Sequence, residues 1–508
     1  AARLYRTALV LGTQEPDEPE LREKLARALS SLGRSKDAAD AYLDAAQHAA
    51  AVPSALPVRA MAAPHSAPGR SLELRRLAAE HYLVSGEIER GTEVLSLLLS
   101  DVGLRFPSSR AQAIFGIVKN LAWLWLRGTE ARIRADTPAA VRDQIELLLS
   151  ANRGYATFSP MLGGFFALEA LTRSLGAGYL RGIIVGLDYY GVMGAYAGQP
   201  RDERRAMRIL DTAKRLSLES DDPVLRARIG LAQGVAATAL GRFAESVEYL
   251  ERVSPALESC VGVGWELSVS DHCVVQALIW LGRFREAREQ VLTLARRSEH
   301  SGDRFSQLVG AILDAKLKLA AGHPVEARAQ AVDVLSQWGT SEFTFQHLFA
   351  VKAAIWCDLY EGAVEGAHAR FQEMWPLLRK SGLLSVQLMR AEAAFLGGTI
   401  ELSRRALGDP QAKLSRVRKS ADWLEKTERA YAQGYAATLR AGIAQVSGQP
   451  ERTRQFARQA VVAFDRAGMS VHAAALLMRS GEADARSVMS KEGIVDPDRW
   501  CRIYLPDA

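Results

Sequence analysis

Apolar residues recur at helical spacing after Gly282. Phe284, Ala287, Val291 and Leu294 are three or four positions apart, and most positions between them are charged or polar. This spacing puts the apolar side chains on one face of a helix and the charged ones on the other. Long alternations of β-branched and polar residues, which are typical of strands, do not occur in the sequence. The pattern therefore predicts an all-α protein.

A short motif built around a glycine occurs seven times. The copies are LGRSKDA (32–38), SGEIERG (85–91), LGRFAES (240–246), LGRFREA (281–287), AGHPVEA (321–327), EGAVEGA (361–367) and SGQPERT (447–453). In each copy a small residue follows five positions after the glycine. The four central glycines are 41, 40 and 40 positions apart, and the last copy follows after 86, about twice that period. A fixed period in this range predicts a solenoid of stacked units.

The residues of one unit predict an antiparallel helix pair. Glycine tolerates the left-handed conformation that ends a helix, so it marks the turn between the two helices. Pro324 and Pro450 each lie two positions after their glycine, where a first-turn proline removes no helical hydrogen bond. The small residue at the fifth position lets the second helix approach the first closely.

Four further helix starts are expected where a capping side chain precedes a proline. They are Thr137-Pro138, Ser159-Pro160, Asp222-Pro223 and Asp409-Pro410.

The motif resembles the tetratricopeptide repeat, in which helix pairs stack into a superhelix with a concave face. The period of that repeat is ~34 residues, so units of 40 imply longer helices and a TPR-like array. The expected organisation has five parts: an N-terminal helical repeat remainder at 1–51, a flexible linker or insertion at 52–70, degenerate helical repeats at 71–222, regular TPR-like repeats at 223–480, and a C-terminal cap at 481–508.

Composition and motifs argue against several classes of function. The 64 basic and 58 acidic residues nearly balance, so no nucleic-acid partner is expected. The four cysteines are far apart and form no C-x-x-C pair, which favours a reducing cytoplasm over a disulfide or zinc framework. The sequence contains no P-loop, H-R-D, D-F-G, H-E-x-x-H or G-x-S-x-G motif. No active site, cofactor or metal is therefore expected.

One apolar stretch is a candidate membrane span. The segment GIIVGLDYYGVMGAYAG at 182–198 contains Asp188 and is shorter than the ~20 apolar residues that a bilayer requires. A tightly packed helix with several glycines is the preferred interpretation, so no membrane partner is expected.

Two rows of residues form the candidate binding site. Trp265, Phe305 and Phe345 are spaced 40 residues apart and form an aromatic row. The residues directly after them form a parallel polar row: Glu266, Ser306 and Gln346. In one interpretation the aromatic row fills the seam between units and the polar row is solvated. In the other, the polar row lies on a concave surface that binds a partner segment. The candidate partner-binding residues are Glu266, Ser306, Gln346, His347, Gln387 and Arg390.

A second resemblance covers most of the chain. The segments that carry it lie at 78–107, 263–284, 342–362, 375–393 and 489–500, beginning with AAEHYLVSGEIERGTEVLSLLLSDVGLRFP. They are similar to the C-terminal region of large bacterial serine/threonine protein kinases, in which a kinase domain and an AAA/STAND-type ATPase module precede a long helical repeat arm. The first residue, Ala1, is not an initiator methionine, so a preceding segment is expected.

The resemblance implies a regulatory arm without catalytic chemistry of its own. Such an arm would bind a protein or peptide partner on its concave face and modulate the kinase and ATPase domains of its parent. Two alternatives remain: a stand-alone TPR scaffold, and the sensor arm of a transcription regulator. An enzyme with unrecognised chemistry would require an acid, base or nucleophile cluster in a deep pocket.

Overall fold

Helices make up all the regular structure in the described residues. The computed structural model describes residues 1–11, 18–51, 67–260, 262–337, 342–479 and 484–507. Across these ranges there are 25 α-helices and one short 3-10 turn, and no strand. The all-α prediction is confirmed.

The helix bounds follow the chain in three groups. The first ten helices are α1 Ala2–Leu11, α2 Glu18–Ser31, α3 Ser35–Ala51, α4 Ala67–Val84, α5 Ile88–Asp101, α6 Arg110–Arg127, α7 Ala139–Phe158, α8 Pro160–Ala177, α9 Leu180–Ala197 and α10 Pro200–Ser217. The next ten are α11 Pro223–Ala239, α12 Phe243–Glu258, α13 Gly264–Leu281, α14 Phe284–Ser301, α15 Arg304–Ala320, α16 Pro324–Gln337, α17 Phe345–Glu361, α18 Val364–Ser381, α19 Gln387–Ala406 and α20 Leu414–Glu425. The last five are α21 Ala430–Val446, α22 Pro450–Arg466, α23 Ser470–Arg479, α24 Asp484–Lys491 and α25 Pro497–Cys501.

The predicted linker lies mostly outside the described residues. Positions 52–66 are not described, and α4 begins at Ala67, so the last four positions of the 52–70 segment are helical. At the other end, the predicted cap contains α24 and α25.

From α7 onwards the helices form a TPR-like superhelical array. Each helix packs against the next one in the chain, which is the arrangement of antiparallel pairs joined by short turns. The first helices of successive pairs also contact each other, as α9 does α11, α11 does α13, α13 does α15 and α15 does α17. We call α9, α11, α13, α15, α17 and α19 the inner helices, because their side chains meet in the interior described below.

The turn glycines have the conformation that the motif predicts. The glycines of all seven copies have φ between 67° and 89°, a region that side chains with a Cβ seldom adopt. Pro324 and Pro450 are the first residues of α16 and α22, as expected. The small residues Ala287, Ala327 and Ala367 are fully buried against the neighbouring helix.

The expected helix starts are confirmed in part. Pro160 and Pro223 begin α8 and α11, and α7 begins directly after Pro138. The start at Asp409-Pro410 is wrong, because α20 begins only at Leu414. There the Asp409 carboxylate accepts a hydrogen bond from the Gln411 N–H at 2.8 Å, which closes a local turn instead of capping a helix.

Helix α9 is closely packed, as the sequence suggested. Eleven of its residues are buried. A Cβ added at Gly186 would lie 2.8 Å from the Leu171 side chain, and one at Gly191 would lie 2.7 Å from Leu210. No helix in the described ranges combines the length and apolar character needed to cross a bilayer.

The superhelix returns on itself. The Gln199 side-chain amide, beside the α9–α10 turn, donates to the Gln387 carbonyl at 3.0 Å across 188 positions. Two units further along, the Ser470 hydroxyl donates to the Leu281 carbonyl at 3.0 Å across 189 positions. Because units several repeats apart meet in this way, the inner helices surround a common interior.

Candidate binding cavity

An apolar cavity of about 300 Å³ lies between the inner helices. Side chains of all six inner helices line it, together with residues of α7 and α8. Val235 and Val269 are part of the lining and remain partly exposed, so solvent reaches the interior. We call this space the inner cavity.

The aromatic row predicted from the sequence lines the inner cavity. Trp265, Phe305 and Phe345 lie at or next to the starts of α13, α15 and α17 and all face the same space. The ring of Tyr196, on α9, lies 6.5 Å from that of Phe345. The row gives the cavity an aromatic wall that spans three units.

A buried ion-pair network closes one end of the inner cavity. Arg228 of α11 donates to the Asp188 carboxylate at 3.3 Å and to the Glu266 carboxylate at 2.6 Å. Burial raises the pKa of Asp188 to about 6, although Arg228 opposes the shift. Because Arg228 and Asp188 are paired with each other, their first role is structural.

The network continues towards α4 and α7. Arg153 donates to Glu266 at 2.5 Å and also pairs with Glu80. Burial alone would raise the pKa of Glu80, but Arg153 and Arg76 lower it to about 2. These ion pairs tie α4 and α7 to α13.

Five buried polar atoms in the wall of the cavity have no hydrogen-bond partner in the described part of the chain. Two of them, Tyr189 Oη and Arg228 Nε, belong to side chains that stack on each other, and three lie elsewhere in the wall. These three are Asn152 Oδ1, His272 Nε2 and Gln346 Oε1, from α7, α13 and α17. Burial lowers the pKa of His272 to about 4, so its imidazole is neutral near pH 7. Buried polar groups are normally satisfied, and a ligand with matching donors or acceptors would satisfy these three.

Of the six candidate residues, the structure places Gln346 in the wall of the inner cavity. Glu266 is buried in the ion-pair network. The buried Ser306 hydroxyl contacts the Asp303 carboxylate at 2.5 Å. Gln387 is also buried and accepts the hydrogen bond from Gln199.

The other two candidates lie elsewhere. His347 forms a capping box with Thr344 at the start of α17, with its Nδ1 2.9 Å from the threonine hydroxyl. Arg390 is exposed, and its guanidinium stacks over the Trp423 ring at 4.3 Å. The polar row therefore does not form one continuous surface.

The structure contains a second buried cluster of charged residues, which the sequence did not predict. Lys352 of α17 pairs with Glu392 of α19, and this carboxylate also accepts hydrogen bonds from the Trp280 indole at 3.0 Å and the Tyr435 hydroxyl at 2.7 Å. The signal in the sequence is a charged residue within an apolar stripe, as in FAVKAAIW at 349–356.

Comparisons with known proteins find similarity only among solved structures. No family model matches the chain, and no curated protein does. Among solved structures, the chain is similar to the apo form of RapI, with 10% sequence identity and a TM-score of 0.40. That match covers 77% of this chain and 97% of the RapI chain.

Proposed function

We propose that this chain is a protein-interaction and regulatory arm, and that an apolar part of a protein or peptide partner binds in the inner cavity. The observation that carries the proposal is the cavity itself, which has a volume of about 300 Å³ and aromatic walls. Apolar concavities with a few well-placed polar groups are typical binding sites. Unpartnered atoms on His272 and Gln346 supply the polar groups.

A ligand in this position would couple distant units. The cavity wall is formed by six inner helices that belong to six successive pairs. Since each unit of a solenoid contacts mainly its neighbours, a ligand that bridges several units can favour one superhelical curvature over another. This change in curvature is the proposed regulatory signal.

Filling the cavity tests the proposal. Peptides would be selected from a random display library on the purified chain, and their affinities measured by calorimetry. Val269→Phe places a larger side chain at the partly exposed wall, and we expect it to weaken peptide binding at least tenfold. The matched control is Leu292→Phe on α14, where the side chain is 57% exposed and outside the cavity wall. If peptide affinity falls equally in the two variants, or falls in neither, the inner cavity is not the binding site.

We further propose that the arm belongs to a multidomain signalling protein. The resemblance of residues 78–107 and of the later segments to the helical arms of serine/threonine kinases supports this assignment. The test is to read the coding sequence upstream of Ala1. A kinase domain followed by a P-loop ATPase module is the expected result. A nearby start codon would favour the stand-alone scaffold, and a helix-turn-helix domain in the same protein would favour the transcription regulator.

A further inference from the structure

A small recess adjoins the inner cavity. It has a volume of about 30 Å³. Five residues line both spaces: Gln276, Trp280, Ile312, Leu313 and Phe349. Lys316, Lys352 and Trp356 form part of the remaining wall of the recess. The side chains of Lys316 and Lys352 therefore lie in a recess that shares part of its wall with the inner cavity.

The two ammonium groups have different partners. Lys352 is paired with Glu392, whose oxygens also accept the hydrogen bonds from Trp280 and Tyr435. Lys316 makes no ion pair with any carboxylate in the described part of the chain, although only 6% of it is exposed. Its Nζ lies over the Trp356 ring, 3.8 Å from the centroid.

An aromatic face compensates a buried cation only in part. Lys316 also lies near a second positive charge, because the Lys352 Nζ is 4.7 Å from the centroid of the same Trp356 ring. Glu392 also attracts Lys316 through space, but that carboxylate is already paired with Lys352, so two buried lysines share one carboxylate.

A buried charge without a counter-ion of its own is costly, and such groups are candidates for functional sites. The charged side chains at the other end of the cavity, Arg228 and Asp188, are already paired with each other. A bound anionic group would thus balance the positive charge of Lys316.

We infer that the partner segment that enters the inner cavity carries a carboxylate beside its apolar group, and that Lys316 is the counter-ion of this carboxylate. The inference rests on the proposed function and defines its ligand chemistry. The expected occupant is a peptide segment with an aspartate or glutamate next to a bulky apolar residue. A basic segment is disfavoured because it would add a positive charge beside Lys316 and Lys352.

A pair of small probes isolates the carboxylate. 4-Phenylbutyrate and 4-phenylbutyramide have the same apolar body and differ in charge, and their affinities can be compared by calorimetry. We expect the acid to bind at least tenfold more tightly than the amide, since a charge-assisted contact is much stronger than a neutral one. The preference should disappear in Lys316→Met and in Lys316→Gln, and should persist in Lys316→Arg.

A nearby lysine provides the control. Lys318 is two positions further along α15, is more exposed, and pairs with Asp314 at 3.3 Å. Lys318→Met should leave the preference for the acid unchanged. Equal affinity of the acid and the amide for the wild-type chain, or binding of neither, would overturn the inference. The proposed function would still be judged separately, by the response of the selected peptides to Val269→Phe.

The source of the carboxylate is tested by competition. Peptides selected on the chain should contain an acidic residue and should displace 4-phenylbutyrate. If the acid binds through Lys316 but the selected peptides do not displace it, the assignment to a peptide segment is wrong and a free carboxylic acid is the ligand. Selected peptides without acidic residues would also overturn the inference.

Discussion

The ring of Tyr431 lies directly against Gly241, so that a Cβ added to this glycine would be 2.3 Å from the tyrosine Cδ1. Gly241 ends the turn after α11, and Tyr431 is near the start of α21. The glycine thus serves two purposes: its φ of 74° allows the turn, and its missing side chain allows two turns of the superhelix to approach each other. The return of the superhelix on itself depends on such contacts.

Substitution of this glycine should cost more than substitution of a glycine that only makes a turn. Gly241→Ala introduces both backbone strain and a clash with Tyr431, so we expect the free energy of unfolding to fall by about 3 kcal/mol or more. Gly448→Ala is the matched control, because Gly448 has a φ of 67° and no atom within 4 Å of an added Cβ. It should cost about 1 kcal/mol. Similar losses in chemical denaturation would show that the contact between superhelical turns is unimportant.

The Glu266 carboxylate is expected to be a major determinant of stability. It accepts from Arg153 and Arg228 and is 2% exposed. Glu266→Gln would leave two buried guanidinium groups without this counter-ion, so we expect a loss of about 3 kcal/mol in the free energy of unfolding.

A surface ion pair supplies the comparison for Glu266. Glu286 pairs with Arg283, and both side chains are about half exposed. Glu286→Gln should change stability by less than about 1 kcal/mol. If the two substitutions have equal effects in urea titrations, the buried network does not hold α4, α7 and α13 together.

The effect of Lys316 on stability should depend on pH. Burial lowers its pKa to about 7, with a further contribution from Lys352, while Glu392 opposes the shift. An unfolded lysine titrates near 10.4, so between about pH 7 and pH 10 the unfolded chain binds more protons than the folded chain. The penalty from Lys316 is therefore fully present below pH 7 and declines as the pH rises through this window.

Lys316→Met removes this dependence. We expect the variant to be more stable than the wild type at pH 6, and the difference to shrink by pH 9. The neighbouring His472 and Tyr435 should not titrate in this window, because burial lowers the pKa of the first well below, and raises that of the second well above, its ordinary value. Lys352 and Glu392 are paired with each other and are unchanged in the variant. A difference in unfolding free energy that is independent of pH would contradict the expectation.

Thiol reactivity reports on the interior. Burial raises the pKa of Cys273, Cys357 and Cys501 to about 12, and the thiolate is the reactive form. With a disulfide reagent such as DTNB we expect one fast thiol in the folded chain, Cys260, and four in denaturant. Cys260→Ser should abolish the fast phase. Rapid reaction of Cys273, which lines the inner cavity, would show that the reagent reaches this wall of the cavity.

The local features of the fold were predictable, because they depend on a few neighbouring residues. The turn at Gly282 and the first-turn Pro324 follow from backbone conformation alone. The Asp409-Pro410 prediction failed because the same aspartate can close a turn as well as cap a helix.

The cavity was only partly predictable. The register of Trp265, Phe305 and Phe345 correctly placed them along one face, but the return of the superhelix is set by contacts such as Gln199 to Gln387, across 188 positions. A period of 40 residues does not fix the rotation between units, so it gives no superhelical pitch. For this reason the sequence could not show that Gln387 is buried while Gln346 faces the interior.

The most direct test of the inner cavity as the binding site is photo-crosslinking from two positions. The photoreactive residue p-benzoylphenylalanine would replace Gln346, in the cavity wall, or Arg390, which is exposed and stacks on Trp423. A peptide selected on the chain would be added, and the crosslinked adduct mapped by mass spectrometry. Binding in the inner cavity predicts a peptide adduct from position 346 and none from position 390. An adduct from position 390 alone would place the partner on the outer surface and contradict the proposal.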